Sequence, residues 1–257
     1  MAEQYADSRK LRARARLHEH YTIAAEPWFT WVASRLGLQS GQAVLDLGCG
    51  PGWFWVASAD VAPPGLHLTL ADLSPGMIEE AVNRCRPLPF ASVEGKPCDA
   101  TSLPFASESF DVVIAMHMLY HVRDQQAALA EIHRVLKPGG TLGVTTNGIG
   151  NLREIYELTT VFGSAPIDPA AQYFGYDRAA ELMQAQFGAV EFAEHPAHLE
   201  VTDPEDVFMA LTSYPPGDGA PDGQLAQFRA AIDAAFRSGS GTLKVHKQSG
   251  LFLSHKH

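Results

Sequence analysis

Cysteine is scarce in this chain of 257 residues: only Cys49, Cys85 and Cys98 occur. Three is odd and too few for a disulfide framework, so reduced thiols in a cytoplasmic protein are expected. Positive charge is also short, with 19 Lys and Arg against 29 Asp and Glu and a formal net charge of −10. General binding to nucleic acid or to an anionic membrane needs the opposite balance. No apolar stretch approaches the roughly 18 residues of a membrane-spanning helix. The opening MAEQYADSRK lacks an apolar run, so no secretory signal is expected. No Cys and His spacing suggests zinc, and no metal is expected. What is present is an ordinary globular composition, 46% hydrophobic and 19% charged, long enough for a sizeable core.

From about residue 40 the pattern alternates strand and helix. Ala43 to Leu47 is a short apolar run that ends in GCGPG, and Trp53 to Ala59 can form the helix after it. Leu66 to Ala71 reads as a second strand, closed by Asp72. Ser74-Pro75 has helix-start chemistry, Ser as N-cap and Pro at the first helical position. Phe90 to Val93 is expected as a third strand and FDVVIAM, 110 to 116, as a fourth. Its almost unbroken apolarity suits a strand buried on both faces. Asp124 can cap a helix in which Ala128, Ile132 and Val135 recur at helical spacing. Lys137-Pro138-Gly139-Gly140 would stop that helix and turn the chain into a fifth strand, Thr141 to Thr146. Such repeats imply an α/β fold with a mostly parallel sheet covered by helices on both faces.

After 147 the alternation breaks. Residues 150 to 187 read as largely helical, with a Pro-containing loop at 164 to 170. Val190 to Glu194 reads as a sixth strand. Two helices are expected within 203 to 237, separated by PPGDGAPDG. LKVHKQSGLFLSH near the end reads as two strands around a Ser249-Gly250 turn. The resulting segments are 1–40 (N-terminal helices), 41–148 (core), 149–240 (helical cap with the sixth strand) and 241–257 (strands completing the sheet).

Residues 44 to 52 are VLDLGCGPG. Asp46 stands near the strand end, followed by Gly48, Gly50 and Gly52 at alternate positions. Glycine allows tight turning and close approach of a ligand to the backbone. Its place, at the carboxyl edge of a parallel sheet, is where α/β folds bind ligands. G-x-G-x-G is not the G-x-G-x-x-G of a dinucleotide site. Asp72 follows Gly52 by 20 residues, at the end of the next strand, where a carboxylate holds ribose hydroxyls.

These residues resemble a known family. Together with LADLSPGMIEEA (70 to 81), CDATSLPFASESFDVVIAMHMLYHV (98 to 122) and EIHRVLKPGGTL (131 to 142), they look like a class I S-adenosylmethionine-dependent methyltransferase. The likeness covers roughly residues 41 to 147. It implies a Rossmann-like fold with a mostly parallel, seven-stranded sheet flanked by helices, N-terminal helices, and a helical cap after the fifth strand. It implies S-adenosylmethionine as cofactor and S-adenosylhomocysteine as product. It would set the methionine part of the cofactor against Gly48, Cys49 and Gly50, with Asp46 near its ammonium. Cys49 itself would be a small filler, not a nucleophile. Asp72 would take the ribose hydroxyls, and Leu73 and Met77 would flank the adenine. Asp99 would accept from the adenine amino group, and Ala100 would offer a backbone N–H. Met116 would lie beside the ribose and methionine. The family pattern there is NHMLYHV, so Met116 departs from it and removes a polar contact. Asp46, Asp72 and Asp99 could also be strand-end or turn caps.

Residues 11 to 32 resemble the N-terminal segment of a subgroup of these enzymes. On a helix, Arg9, Arg12 and Arg16 share one face, and Arg14, Leu17 and Tyr21 another. Arg14 and Tyr21 would then help close the cofactor site, an aromatic face near a sulfonium being favourable. Packing by Tyr21 and an ion pair at Arg14 is the plainer reading. A base for the acceptor's proton would come from His117, Tyr120 or His121, or from His20 of the N-terminal segment. His117 and His121 each have a structural reading beside the catalytic one. Tyr173, Phe174, Tyr176, Phe208 and Tyr214 either line an acceptor pocket or form the cap's core.

AMHMLYHV lacks the [ND]-P-P-[YF] motif of enzymes that methylate base amines in nucleic acid, and no acidic cluster suggests a magnesium site. A small organic acceptor in biosynthesis is therefore expected, methylated at oxygen, nitrogen or carbon. No nucleic-acid or membrane partner is expected, and the sequence leaves oligomeric state open. Two alternatives stand: a protein or tRNA methyltransferase docking through the basic N-terminal helix, and a cofactor-binding protein without turnover.

Overall fold

A computed structural model describes residues 9–257, with side chains from residue 15 onward. Its strands are β1 (Thr22–Ala24), β2 (Ala43–Leu47), β3 (His67–Asp72), β4 (Ser92–Pro97), β5 (Phe110–Met116), β6 (Leu136–Asn147), β7 (Glu191–Glu194), β8 (Ala197–Val201), β9 (Leu243–His246) and β10 (Ser249–His255). The helices are α1 (Arg9–Tyr21), α2 (Trp28–Ala33), α3 (Trp53–Ala57), α4 (Pro75–Cys85), α5 (Gln125–Val135), α6 (Arg153–Leu158), α7 (Pro169–Phe174), α8 (Tyr176–Phe187), α9 (Pro204–Leu211) and α10 (Asp222–Ser238). The chain forms two compact units. The larger contains Glu26–Asn147, Tyr173–His195 and Ser249–His257; the smaller takes the described residues up to Ala25, with Gly148–Gln172 and Pro196–Gln248. Both are discontinuous, whereas the segments expected from sequence are contiguous.

The larger unit holds a seven-stranded sheet in the order β4-β3-β2-β5-β6-β10-β7. The neighbours from β4 through β6 pair in parallel, and β10 runs antiparallel to both β6 and β7. The sheet is mostly parallel because helices return the chain between strands. The order reverses between β2 and β5, so their carboxyl ends flank the crevice of the fold. Alternation along the strands separates two cores. Leu45, Leu47, Val113 and Ala115 face one. Val44, Val112 and Ile114 face the other, which also holds Phe54, Trp55, Leu68 and Leu70. Burial on both faces is why FDVVIAM lacks polar alternation. The edge strand β4 is half-exposed or exposed throughout and admits Gly95 and Pro97.

Helix starts follow the expected chemistry. The Ser74 hydroxyl accepts from Met77 N, and the Asp124 carboxylate from Ala127 N at 2.9 Å. Three expectations need correction. The third strand of the chain's core is Ser92–Pro97, not Phe90 to Val93. Lys137-Pro138-Gly139-Gly140 does not separate helix from strand; it lies inside β6, as an irregularity between the pairs Phe110↔Leu136 and Val112↔Thr141. Gly139 N donates to Lys256 O and Lys256 N to Gly140 O, which holds that excursion. Finally, Ser249 and Gly250 are not a turn. They begin β10, and only β10 completes the large sheet.

The smaller unit has its own antiparallel sheet, β1-β8-β9, which the sequence did not reveal. One core includes Leu17, Ile155, Leu199, Val201, Val207, Phe228, Ile232 and Val245. Leu17 is buried, as helical spacing in α1 requires. Among the described residues no helix is long and apolar enough to cross a membrane.

Candidate functional site

The turn after β2 is shaped by backbone hydrogen bonds across to β3. Gly48 N and Cys49 N both donate to Ala71 O, at 2.7 and 3.0 Å. Gly48, Gly50 and Gly52 have φ of +72°, +52° and +76°, the left-handed region that glycine enters without penalty. The surroundings differ. A Cβ on Gly48 would lie 2.6 Å from Met118 Cβ, and one on Gly52 would lie 3.0 Å from Ala81 Cα. A Cβ on Gly50 would meet nothing within 4 Å. Gly48 and Gly52 thus pack against protein, while Gly50 borders open space.

Asp72 closes this turn. Its Oδ2 accepts from Gly50 N at 3.0 Å and its Oδ1 from Ser74 N at 2.9 Å. One backbone donor on each oxygen orients the carboxylate and leaves each oxygen able to accept again. Two acceptors held side by side match a vicinal diol. Asp46 is 2% exposed, and its Oδ2 accepts from Trp55 Nε1 at 2.8 Å. Burial pushes its carboxyl up to about 7; the indole bond opposes this and the nearby Asp72 adds to it. A buried acid with one neutral donor is an electrostatic deficit that a cationic ligand would relieve. Cys49 is buried, and burial together with Asp46 and Asp72 pushes its thiol well above its ordinary value. That describes an inert filler.

Further along the strand ends, Leu73 is 75% exposed and Met77 is buried. The Asp99 Oδ1 accepts from both Thr101 N and Thr101 Oγ1 at 2.8 Å, and these bonds hold its carboxyl below the usual value. Ala100 beside it is buried. A flat apolar group with polar edges suits such a rim. The whole edge can therefore take a ligand with a positive charge, a diol and a flat ring, the outline of S-adenosylmethionine.

Known proteins were compared with this chain. Residues 45–144 match the family model described as a methyltransferase domain. The likeness to that domain is confined to those residues. A demethylmenaquinone methyltransferase of Beutenbergia cavernae is 41% identical over 46% of this chain and 45% of its own length. A malonyl-[acyl-carrier protein] O-methyltransferase of Erwinia billingiae is 36% identical over 48% and 46%. The matches thus span about half the length of these curated relatives. Among solved structures, the [4+2]-cyclase SpnF aligns with a TM-score of 0.60 at 21% identity, covering 99% of this chain and 95% of its own. That likeness concerns the fold alone.

Within the matched residues, β5 ends on Met116, which is half-buried against the core that contains Trp55. His117 follows with φ +49°, an uncommon conformation for a non-glycine residue. Its amide donates to Thr145 O at 3.1 Å and to Thr145 Oγ1 at 3.2 Å, and its ring lies 5.6 Å from that of Trp28. Tyr120 and His121 occupy a 3-10 turn, with ring centroids 4.5 Å apart. Met118, Trp28 and Trp55 were not singled out by the sequence. Met118 lies within the motif already read, but its contact with Gly48 is made across the fold. Trp28 and Trp55 belong to helices whose docking no local signal gives.

The expected residues of the N-terminal segment belong to the smaller unit. The Tyr21 hydroxyl donates to Asp206 Oδ2 at 2.7 Å, and Arg16 Nε donates to Asp206 Oδ1 at 2.6 Å. Burial, and then the bond to Asp206, push Tyr21 up to about 12. Arg16 is half-exposed and paired with Asp206. His20 Nδ1 lies 3.1 Å from Arg16 O. The side chains of Arg9, Lys10, Arg12 and Arg14 lie outside the described residues. Of the cap aromatics, Phe174 is fully buried, while Phe208 and Tyr214 pack on the small core. Tyr176 packs on Phe192 and Phe252, and Tyr173 is exposed. No group of three or more His, Cys, Asp or Glu able to hold a metal occurs among the described residues.

Proposed function

We propose that this chain is an S-adenosylmethionine-dependent methyltransferase acting on a small organic acceptor in biosynthesis. The observation that carries the reading is Asp72, its two oxygens oriented by Gly50 N and Ser74 N next to the open space at Gly50. The cofactor supplies an electrophilic methyl group; the chain supplies position and field. Asp72 accepts from the ribose diol. Asp46, through the low-polarity space around it, favours the cofactor's cationic end over neutral analogues. Asp99 and Ala100 meet the edge of the adenine, with Leu73 and Met77 at its faces, and Met116 adjoins the ribose. His117 or His121, with Tyr120 in the same turn, takes the acceptor proton where the acceptor atom carries one.

The small-molecule acceptor is supported by relatives named for demethylmenaquinone and for malonyl-[acyl-carrier protein]. The −10 charge favours it over tRNA. Docking of a macromolecule through α1 loses one of its cations, since Arg16 is already paired with Asp206.

Calorimetry with S-adenosylmethionine tests the central claim. The wild type should bind, and Asp72→Ala should bind about 30-fold more weakly or worse, because two charge-assisted hydrogen bonds go. Equal binding by both proteins would sink the assignment. With labelled cofactor in a lysate, label should appear in small molecules; label in protein or RNA would redirect the reading to a macromolecular acceptor. Binding with no labelled product would leave a cofactor-binding protein on a fold that also carries a cyclase.

A further inference from the structure

Lys247 lies between β9 and β10, in the smaller unit, and the backbone on both sides of it is pinned. His246 N donates to Glu154 Oε2 at 2.8 Å, and His246 O accepts from Leu152 N at 2.9 Å. Gln248 N donates to Asn151 Oδ1 at 3.0 Å, and Gln248 O accepts from Gly148 N at 3.0 Å. The Gln248 side chain is used as well, its Oε1 accepting from Gly150 N at 2.9 Å. The alternation of β9 buries Leu243 and Val245 and exposes Lys244 and His246. Lys247 continues it on the buried side and is only 6% exposed.

A lysine with so little of its surface exposed normally sits beside a carboxylate. Lys247 has no ion pair or hydrogen bond among the described residues. Lys244, on the outer face, reaches Glu200 at 3.5 Å. The acids bonded into the same turn are engaged elsewhere. Glu154 receives His246 N, and Asp168 receives Asn151 Nδ2 and Ala170 N, each at 2.9 Å or less. Burial pulls Lys247 down to about 8, and no charged neighbour offsets it. At neutral pH it is still mainly a cation, fixed in place and without a counter-charge.

We propose that Lys247 anchors an oxyanion site in the smaller unit, which takes a compact carboxylate or phosphate group of a small-molecule ligand. The pinned turn positions the ammonium before the ligand arrives, so little order is lost on binding. The anion supplies the charge that the fold withholds. This site is independent of the methyl-transfer reading, since it requires only residues of the smaller unit.

The test uses the full chain at pH 7 in chloride, acetate or inorganic phosphate at equal ionic strength. With anion at about ten times its half-saturating level, the wild-type Tm should rise by roughly 3 °C over chloride. Lys247→Met should lose that rise while melting no lower than the wild type in chloride, since the substitution breaks no ion pair or hydrogen bond of the side chain. A rise that survives in Lys247→Met, or no rise in the wild type, overturns the proposal. A second measurement avoids the variant altogether. An amine-reactive ester should label Lys247 several-fold more slowly in the binding anion than in chloride, with Lys244 unchanged. Equal labelling overturns it too. Protection by both anions marks a general oxyanion site, and protection by phosphate alone narrows it to phosphate groups.

Discussion

Asp46 carries opposing demands. Its position on β2 encloses it, and Trp55 Nε1 is the hydrogen-bond donor on its Oδ2. With its carboxyl raised from 3.8 to about 7, the folded chain holds a proton between those values that the unfolded chain has released. Stability from this group is therefore greatest at low pH and declines as pH rises through that window. Thermal melts should show Tm falling from pH 5 to 8, and Asp46→Asn should flatten the decline. Parallel profiles for the two proteins would remove Asp46 as the cause. Lys247 does not confuse the reading: its depressed value adds stability only as pH rises from about 8 toward 10.5. The acids at strand ends were legible in the sequence because strand–acid–glycine order is local. The Trp55 bond was not, because it depends on where α3 docks.

The turn after β2 behaves as an element, and its glycines are not equivalent. Gly48→Ala combines a left-handed φ with a Cβ 2.6 Å from Met118 Cβ, so it should destabilise by roughly 2–3 kcal/mol in denaturant unfolding. Gly50→Ala has the strain but no clash, so it should lose only about 1 kcal/mol. Its methyl group enters the open space instead, and it should weaken S-adenosylmethionine binding more than Gly48→Ala lowers it per unit of lost stability. Equal unfolding losses for the two variants would contradict this. Other elements divide on the same principle. The caps of α4 and α5 could be read because cap and helix are neighbours in sequence. Ser249-Gly250 looks like a turn in isolation. Gly250 is in a strand because Phe192 and Tyr176 press on it: a Cβ there would lie 2.5 Å from Phe192 Cε2. The Lys137-Pro138-Gly139-Gly140 excursion stays within β6 because Lys256, more than a hundred residues away, bonds to it.

At the scale of the molecule, the larger unit was legible from repeated strand–helix periods; in the smaller one the two helices within 203–237 and the strand at LKVH were legible, and the sheet was not. That sheet's β1 has three residues, β8 has five and β9 has four, too short to stand out as a set of strands. They pair only because distant segments converge. Asp206 on α9 ties to α1 through Arg16 and Tyr21, and burial working against its charge is outweighed by those two bonds, which hold its carboxyl low. Asp206→Ala should lower Tm and make α1 more sensitive to limited proteolysis; unchanged cleavage would show that this pair does not hold the helix.

The chain passes between the two units at Ala25/Glu26, Asn147/Gly148, Gln172/Tyr173, His195/Pro196 and Gln248/Ser249. Neither unit can therefore be excised as a continuous fragment. Exchanging the smaller unit with that of a relative, to transplant ligand preference, would require splicing every one of those junctions at once. A single-crossover chimaera would divide both hydrophobic interiors between two parents. Preference in such a chain is more readily altered by changing individual side chains than by recombination.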